Sequence, residues 1–291
     1  MKLITNKVVL EILNQFQTIW ALNYLANLAG WELETYMPEA GASDRGLALA
    51  KVKVLMQKLF LDKNFVKLIQ SLSDEQNLND YELGIKRVLE KQLDEFQKLP
   101  HHYIEEYEKA INEGQVAWRK ARGASDFKIF APYLEKITDL NIQKADYLGF
   151  SGHPYDALLD LYEEGQTTAD VDAYFDSIRD FLVETLTMIK KSSKYIDSHP
   201  LHTEKYELGN MQFLNNEVLN YLNYDPNRLR LDISTHPFTS SFTSNDVRIT
   251  TRYNDTDFGR SFTSTTHEFG HALYDLQCNP ELDHTPIYGG M

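Results

Sequence analysis

Cysteine is almost absent from the sequence, since Cys278 is the single thiol among 291 residues. One cysteine excludes an intrachain disulfide, which is typical of proteins in a reducing compartment. Long hydrophobic runs are also absent, and without 18 consecutive apolar residues we expect no membrane span. Glu11, Asn14 and Gln15 interrupt the N-terminal apolar segment, so a signal peptide is not predicted. These absences favour a cytoplasmic protein with no membrane partner.

Positive charge is scarce. The sequence has 29 lysines and arginines against 43 aspartates and glutamates, which gives a net charge of -14 and a pI near 5.1. An acidic surface repels a phosphate backbone, so a nucleic acid is not an expected partner. The hydrophobic content of 42% and the charged content of 25% are ordinary for a globular chain of this length.

Helical periodicity dominates the first 225 residues. Ile12, Phe16, Ile19 and Trp20 form one apolar stripe, which predicts a first helix ending near Gly30. Further helices are predicted over residues 101–121, 126–148, 167–193 and 204–221, the second of them closed by Gly149. Capping-box patterns at 73–76 and 167–170 predict two of the helix starts.

The residue pattern is no longer helical after residue 226. Residues 229–233 and 247–253 are short and rich in β-branched side chains, and a Ser/Thr-rich stretch at 238–245 lies between them. This pattern predicts two or three short strands joined by turns. A helix over 262–276 follows, with Phe269, Leu273 and Leu276 on its apolar stripe. We therefore predict a mainly α fold with a small antiparallel sheet just before this helix.

The last predicted helix carries the motif H-E-x-x-H as His267, Glu268 and His271. Positions i and i+4 lie on one helix face, so both imidazoles can bind the same zinc ion. Glu268, offset by one position, can accept a proton from the water that zinc activates and pass it to a leaving amine. The alternative is a surface helix that happens to carry these residues. The apolar stripe beside the motif favours the metal site.

Residues 246–253 are predicted to form an edge strand beside the metal, where an extended substrate could pair. Arg248 shares one strand face with Asp246. An arginine there could bind the free carboxylate of a peptide in bidentate fashion. It could equally be a structural arginine in an ion pair with Asp246, and the strand alone slightly favours this second interpretation.

Several stretches together resemble the carboxypeptidase Taq family of metal-dependent carboxypeptidases. They are W-E-L-E-T-Y-M-P at 31–38, D-F-K-I-F-A-P-Y-L-E at 126–135, Y-D-A-L-L-D-L-Y-E at 155–163, H-P-F at 236–238, D-V-R-I-T at 246–250 and H-E-F-G-H at 267–271. The resemblance implies a zincin-like helical fold with a deep groove, metallocarboxypeptidase activity on peptides and, in many members, a homodimer.

The resemblance also implies roles for individual residues. It implies zinc at His267 and His271, with cobalt or manganese as substitutes, and Glu268 as the general base. Arg248 corresponds to a residue associated with the substrate's C-terminal carboxylate. His236 lies in a motif near the cleft and has either a substrate-binding or shaping role, or a purely structural one. The helical spacing, and not the resemblance, places Asp275 one turn after His271, where we expect it to interact with an imidazole that binds the metal.

The sequence departs from the family pattern in two places. Glu32 follows Trp31 where the family commonly has aspartate. The family's third metal ligand is a glutamate downstream of a Y-G-G-M-G-type segment, and the sequence ends at Y-G-G-M, residues 288–291. We therefore expect residues 1–291 to form a single, C-terminally incomplete domain with impaired activity and an exposed apolar surface. The alternative is a catalytically dead homologue that retains a peptide-binding or oligomerisation surface.

Overall fold

The computed structural model describes residues 2–199, 201 and 204–288. Its α-helices are α1 (Lys7–Thr35), α2 (Ala42–Phe60), α3 (Lys63–Ser71), α4 (Asp80–Lys98), α5 (His101–Ala124), α6 (Ala131–Leu148), α7 (Pro154–Leu159), α8 (Thr168–Lys191), α9 (Leu208–Tyr221) and α10 (Phe258–Leu276). Its strands are β1 (Leu229–Ile233), β2 (Thr239–Thr243) and β3 (Asp246–Thr251). The prediction of a mainly helical fold with a small sheet before the motif helix is confirmed.

Helix α1 forms one wall of the main core, together with α2, α3 and α4. Its predicted stripe is confirmed, since Ile12, Phe16 and Ile19 are buried in this core. The predicted end near Gly30 is wrong, because α1 continues to Thr35. Gly30 weakens a helix by about 1 kcal/mol, but the buried side chains of Trp31 and Leu33 hold the next turn in place.

The two predicted capping boxes have different outcomes. The box of Thr167 and Asp170 is confirmed at the start of α8. The box predicted at residues 73–76 is wrong, because those residues lie in a turn and a loop. Asn79 and Glu82 form the box that opens α4 instead. Glu82 is buried and also accepts hydrogen bonds from the backbone amides of Thr5 and Asn6, so tertiary contacts determine which box forms.

The sheet has the strand order β1-β3-β2. β2 and β3 are antiparallel, as predicted, but β1 runs parallel to β3, so the sheet is mixed. β2 and β3 form a hairpin, and β1 pairs with the far side of β3. The predicted edge position of β3 is consequently wrong. β3 is the central strand, and β2 is the edge strand on the other side of it.

The two faces of β3 contact different helices. Val247 and Ile249 pack against Phe269 and Ala272 of α10. Because side chains alternate along a strand, Asp246 and Arg248 point to the opposite face, toward α1. The predicted stripe of α10 is correct at Phe269 and Leu276 but wrong at Leu273, which is 42% exposed. The buried position of this stripe is taken by Ala272.

Helix α8 has an exposed apolar surface, and the prediction that the incomplete domain leaves such a surface uncovered stays a prediction. None of the residues of α8 is buried, and Phe181 is 69% exposed. The other exposed apolar side chains of this helix are Tyr174, Phe175, Leu182, Val183, Leu186, Met188 and Ile189. Among the described residues, no helix is long and apolar enough to cross a membrane.

Candidate metal and peptide-binding site

His267 and His271 present a pair of nitrogen ligands on one face of α10. Their Nε2 atoms lie 3.2 Å apart, and the ring planes are inclined at 82°. Two nitrogens bonded to one tetrahedral zinc ion at about 2.0–2.1 Å are separated by about 3.3–3.4 Å. Both rings are exposed to solvent. This pair therefore fits two positions in the coordination of one divalent ion.

A third ligand is not found among the described residues, which contain no group of three or more metal-binding side chains. The nearby candidates are engaged elsewhere. Glu281 accepts a hydrogen bond from the amide of Leu3, Asp283 accepts two from Ser244, and the ring of His284 packs on Trp20. Residues 289–291 of the Y-G-G-M segment lie outside the described part of the chain.

Glu268 is the buried member of the motif, with 7% of its surface exposed. Thr239 at the start of β2 lies 2.7 Å from Glu268 Oε2 and donates a hydrogen bond to it through its hydroxyl. The same hydroxyl lies 3.0 Å from the backbone carbonyl of Glu268. The edge strand thus holds the carboxylate on the side of α10 where a cavity opens.

This cavity has a volume of about 350 Å³ and is lined by His236, Arg260, His267 and Glu268, among others. A larger cavity of about 1010 Å³ lies between the sheet and helices α1 and α5. Five aromatic side chains contribute to its walls, namely Trp31, Trp118, Phe130, Phe238 and Phe242. His236 lines both cavities, so the H-E-x-x-H motif and the larger cavity meet at this residue.

His236 is fixed at this junction by its own loop. Its Nδ1 atom lies 2.6 Å from the carbonyl oxygen of Pro237, and its own carbonyl accepts a hydrogen bond from Ser234 Oγ at 2.6 Å. Its ring is exposed and lies 6.5 Å from the ring of Trp118 on α5. The predicted proximity of His236 to the motif is therefore present in the structure.

Arg248 lies apart from the other predicted site residues. Its Nε and Nη2 atoms donate to both oxygens of Asp246, at 2.9 and 3.0 Å. Its guanidinium lies 4.5 Å from the ring of Trp31 and 5.0 Å from that of Phe242. It lines neither of the two cavities. This geometry is that of the ion-paired alternative, on the face of the sheet opposite α10.

Asp275 follows His271 by one turn and is buried. Burial raises the pKa of its carboxyl, and the charge of His271 partly offsets this effect. Among the described hydrogen bonds, none joins Asp275 to an imidazole of the motif. Its supporting role stays a prediction.

Three residues of the site were not found from the sequence. Thr239 and Trp118 are distant from the motif along the chain, and nothing in their local pattern indicates the contact. Arg260 precedes His267 by seven residues, a spacing that places both on one helix face. This spacing could have indicated from the sequence that Arg260 lies near the motif.

Comparison with known proteins adds family-level findings. A family model described as carboxypeptidase Taq (M32) metallopeptidase matches residues 11–291. Thermostable carboxypeptidase 1 of Pyrococcus furiosus is 41% identical over 98% of the chain, and carboxypeptidase 1 of Bacillus subtilis is 30% identical over 90%. The chain covers 58% and 52% of these two relatives, respectively.

Comparison with solved structures also finds similarity to carboxypeptidases. The structure titled Pyrococcus furiosus carboxypeptidase Apo-Mg matches with a TM-score of 0.88 and 41% identity, over 99% of this chain and 58% of that one. The structure titled BsuCP matches with a TM-score of 0.91 and 28% identity, over 96% of this chain and 56% of that one. The chain thus spans a little more than half the length of these relatives.

Proposed function

The chain belongs to the carboxypeptidase Taq (M32) family of metallopeptidases, and on this premise we propose that it takes part in metal-dependent hydrolysis of C-terminal peptide bonds. The family implies a divalent metal and a peptide substrate. The observation that carries the proposal is the 3.2 Å pair of His267 and His271 Nε2 atoms beside Glu268, at the edge of a cavity.

The proposed metal ligands in this chain are His267 and His271. Imidazole pairs suit zinc, which is the ion we propose, with cobalt or manganese as substitutes. When bound, the ion would supply Lewis-acid activation of water and of the scissile carbonyl.

Glu268 is the proposed general base. Its carboxylate accepts a proton from the attacking water and then donates it to the amine of the departing residue. The hydroxyl of Thr239 holds one carboxylate oxygen, so the other oxygen is available for this transfer. The burial of Glu268 limits its motion during both steps.

The substrate backbone is proposed to lie along the outer edge of β2. β2 pairs with β3 on one side only, and an extended peptide can add to the other side through main-chain hydrogen bonds. Ser240, Ser241 and Phe242 of this strand line the larger cavity. Substrate side chains would enter that cavity, with His236 at the boundary to the motif. This role of His236 is supported by its position between the cavities.

The carboxylate-binding role of Arg248 stays a prediction. The guanidinium would have to release or share Asp246 in order to bind a substrate, and Asp246 also accepts a hydrogen bond from Tyr24 at 3.0 Å. Cytoplasmic location and a homodimer likewise stay predictions, the former supported by the single cysteine.

A second candidate is a non-catalytic protein that binds peptides or oligomerises. Two observations favour it: the described residues offer only two of the usual three metal ligands, and α8 exposes an apolar face. The chain covers 58% and 52% of two relatives, and the assay below therefore uses the 291 residues themselves.

The test is an assay of the 291-residue protein with added zinc and a short peptide bearing a free C-terminus. The proposal expects release of single C-terminal residues, abolition by chelator, and loss of at least about 100-fold in Glu268→Gln with retained metal binding. Turnover that persists after verified metal removal would refute it. Full metal loading without any hydrolysis would favour the second candidate, and efficient internal cleavage of amidated peptides would indicate an endopeptidase.

A further inference from the structure

An arginine with no protein partner faces the catalytic motif. Arg260 lines the 350 Å³ cavity together with His267 and Glu268. Within the described part of the chain, its guanidinium makes no ion pair and no hydrogen bond. Its backbone amide donates to Asp257 Oδ1, and its backbone carbonyl accepts from the hydroxyl of Thr263. Its charge is therefore available to a ligand in the cavity.

Two further arginines lie around the same junction. Arg252 Nη1 lies 3.4 Å from the carbonyl oxygen of Thr235, the residue before His236. The guanidinium of Arg122 lies 5.3 Å from the ring centroid of Trp118, the ring that neighbours His236. Burial and the charges of Arg252 and Arg260 lower the pKa of Arg122, which indicates that the three cations are close enough to repel one another.

We define the arginine cluster as Arg122, Arg252 and Arg260. Across residues 2–199, 201 and 204–288, the cluster forms no salt bridge. Other arginines do form them, as in the pairs Arg45–Glu32, Arg87–Glu164, Arg230–Asp232 and Arg248–Asp246. In a chain with a net charge of -14, three neighbouring arginines without a salt bridge make the local potential more positive than the average surface.

We infer that the arginine cluster binds the C-terminal carboxylate of the peptide substrate, with Arg260 as its direct ligand. This inference rests on the proposed function and deepens it. An arginine binds a carboxylate through two parallel hydrogen bonds, and Arg260 has both terminal nitrogens free. Arg122 and Arg252 add charge without needing to touch the ligand. Two nitrogens of Arg248 already donate hydrogen bonds to Asp246 and are therefore not free for a ligand.

The spacing along α10 suits this role. Arg260 precedes His267 by seven residues, so the two lie on one side of the helix and about 10–11 Å apart along its axis. In a carboxypeptidase substrate, one residue separates the scissile carbonyl from the carboxylate, a span of about 3.8 Å. Both side chains line the same cavity.

The experiment measures binding rather than turnover. The 291-residue protein, freed of metal by a chelator so that hydrolysis is prevented, is titrated calorimetrically with acetyl-Ala-Phe as the free acid and as the C-terminal amide. We expect tighter binding of the free acid. In Arg260→Gln the affinity for the free acid should fall about tenfold or more, with the amide unchanged.

Two variants control for charge and folding. Arg179→Gln removes an exposed arginine of α8 and should leave both affinities unchanged. Arg252→Gln, which leaves the ligand's direct contact intact, should weaken free-acid binding less than Arg260→Gln does. Equal binding of acid and amide by the wild-type chain, binding of neither, or an unaltered acid preference in Arg260→Gln would each overturn the inference. Acid-selective binding without hydrolysis after zinc addition would instead sink the proposed activity and leave the carboxylate site standing.

Discussion

Thr239 Oγ1 lies 2.7 Å from Glu268 Oε2 and donates a hydrogen bond to it, which joins the edge strand β2 to the motif helix α10. The two residues are 29 positions apart in the sequence. Because β2 is also the strand along which we propose the substrate to lie, one residue connects the substrate edge with the general base. The orientation of the carboxylate is thus set by the sheet and not by the helix that carries it.

Replacing Thr239 with valine tests this connection. Thr239→Val keeps the side-chain shape and removes the hydroxyl, so one carboxylate oxygen of Glu268 loses its partner. A neutral hydrogen bond to a charged group contributes about 1.5–3 kcal/mol, and we expect the hydrolysis rate to fall about tenfold or more at unchanged zinc content. Thr266→Val, whose hydroxyl bonds only to its own helix, is the matched control. Equal rates in both variants would show that Thr239 does not position the base.

Removing either motif histidine should weaken metal binding. With only two imidazoles available among the described residues, His267→Ala or His271→Ala leaves one, and we expect zinc affinity to drop about 10-fold to 100-fold or beyond detection. Equilibrium dialysis with metal analysis measures this directly. His102→Ala, at an exposed position on α5, should bind zinc as the wild type does. Retained affinity in both motif variants would place the metal elsewhere.

Glu82 should make stability depend on acidic pH. Burial alone would raise the pKa of its carboxyl, but hydrogen bonds from the amides of Thr5, Asn6 and Asn79 outweigh it and hold the pKa below the ordinary value of 4.5. A lowered pKa stabilises the folded state above about 4.5, and this contribution is lost as the pH falls through the folded pKa.

The corresponding variant is Glu82→Gln. At neutral pH we expect it to lower the free energy of unfolding by about 1–3 kcal/mol, because the charged acceptor of three amides is lost. The difference from wild type should shrink as the pH falls below about 4.5, as followed by urea unfolding. Glu90→Gln, at an exposed position on the same helix, should show neither effect. A difference that stays constant down to pH 2 would contradict the sign of the pKa shift.

Arg248 should contribute to stability. Arg248→Lys keeps the charge but loses the two parallel bonds to Asp246 and the stacking on Trp31, so we expect a loss of about 1–3 kcal/mol in unfolding free energy. Arg179→Lys on the surface of α8 should change stability by less than about 0.5 kcal/mol. Unchanged stability in Arg248→Lys, together with a lost preference for free-acid peptides, would support its predicted role as the carboxylate ligand.

Local features of this protein could be predicted from its sequence, whereas features that depend on long-range contacts could not. The stripe of α1 and the H-E-x-x-H pair were readable because helical periodicity places residues three and four apart on one face, whatever the rest of the fold does. The end of α1 could not be predicted because it depends on the burial of Trp31. The start of α4 depends on the contacts of Glu82 with the N-terminal segment, and the central position of β3 depends on the strand order. All three are set by contacts between segments that are distant in the sequence. The role of Arg248 depended on a pair with Asp246 that the sequence left open.

By itself, the sequence determined a helical protein with two imidazoles and a carboxylate in fixed local geometry, since a single helix suffices to set that arrangement. Only the tertiary structure decided that β2 is an edge strand, that Thr239 bonds to Glu268, and that Arg248 pairs with Asp246 on the far face of the sheet. The same holds for the gathering of Arg122, Arg252 and Arg260 around His236. These relationships join segments far apart in the chain, and only the packing of α5, the sheet and α10 brings them within bonding or electrostatic reach.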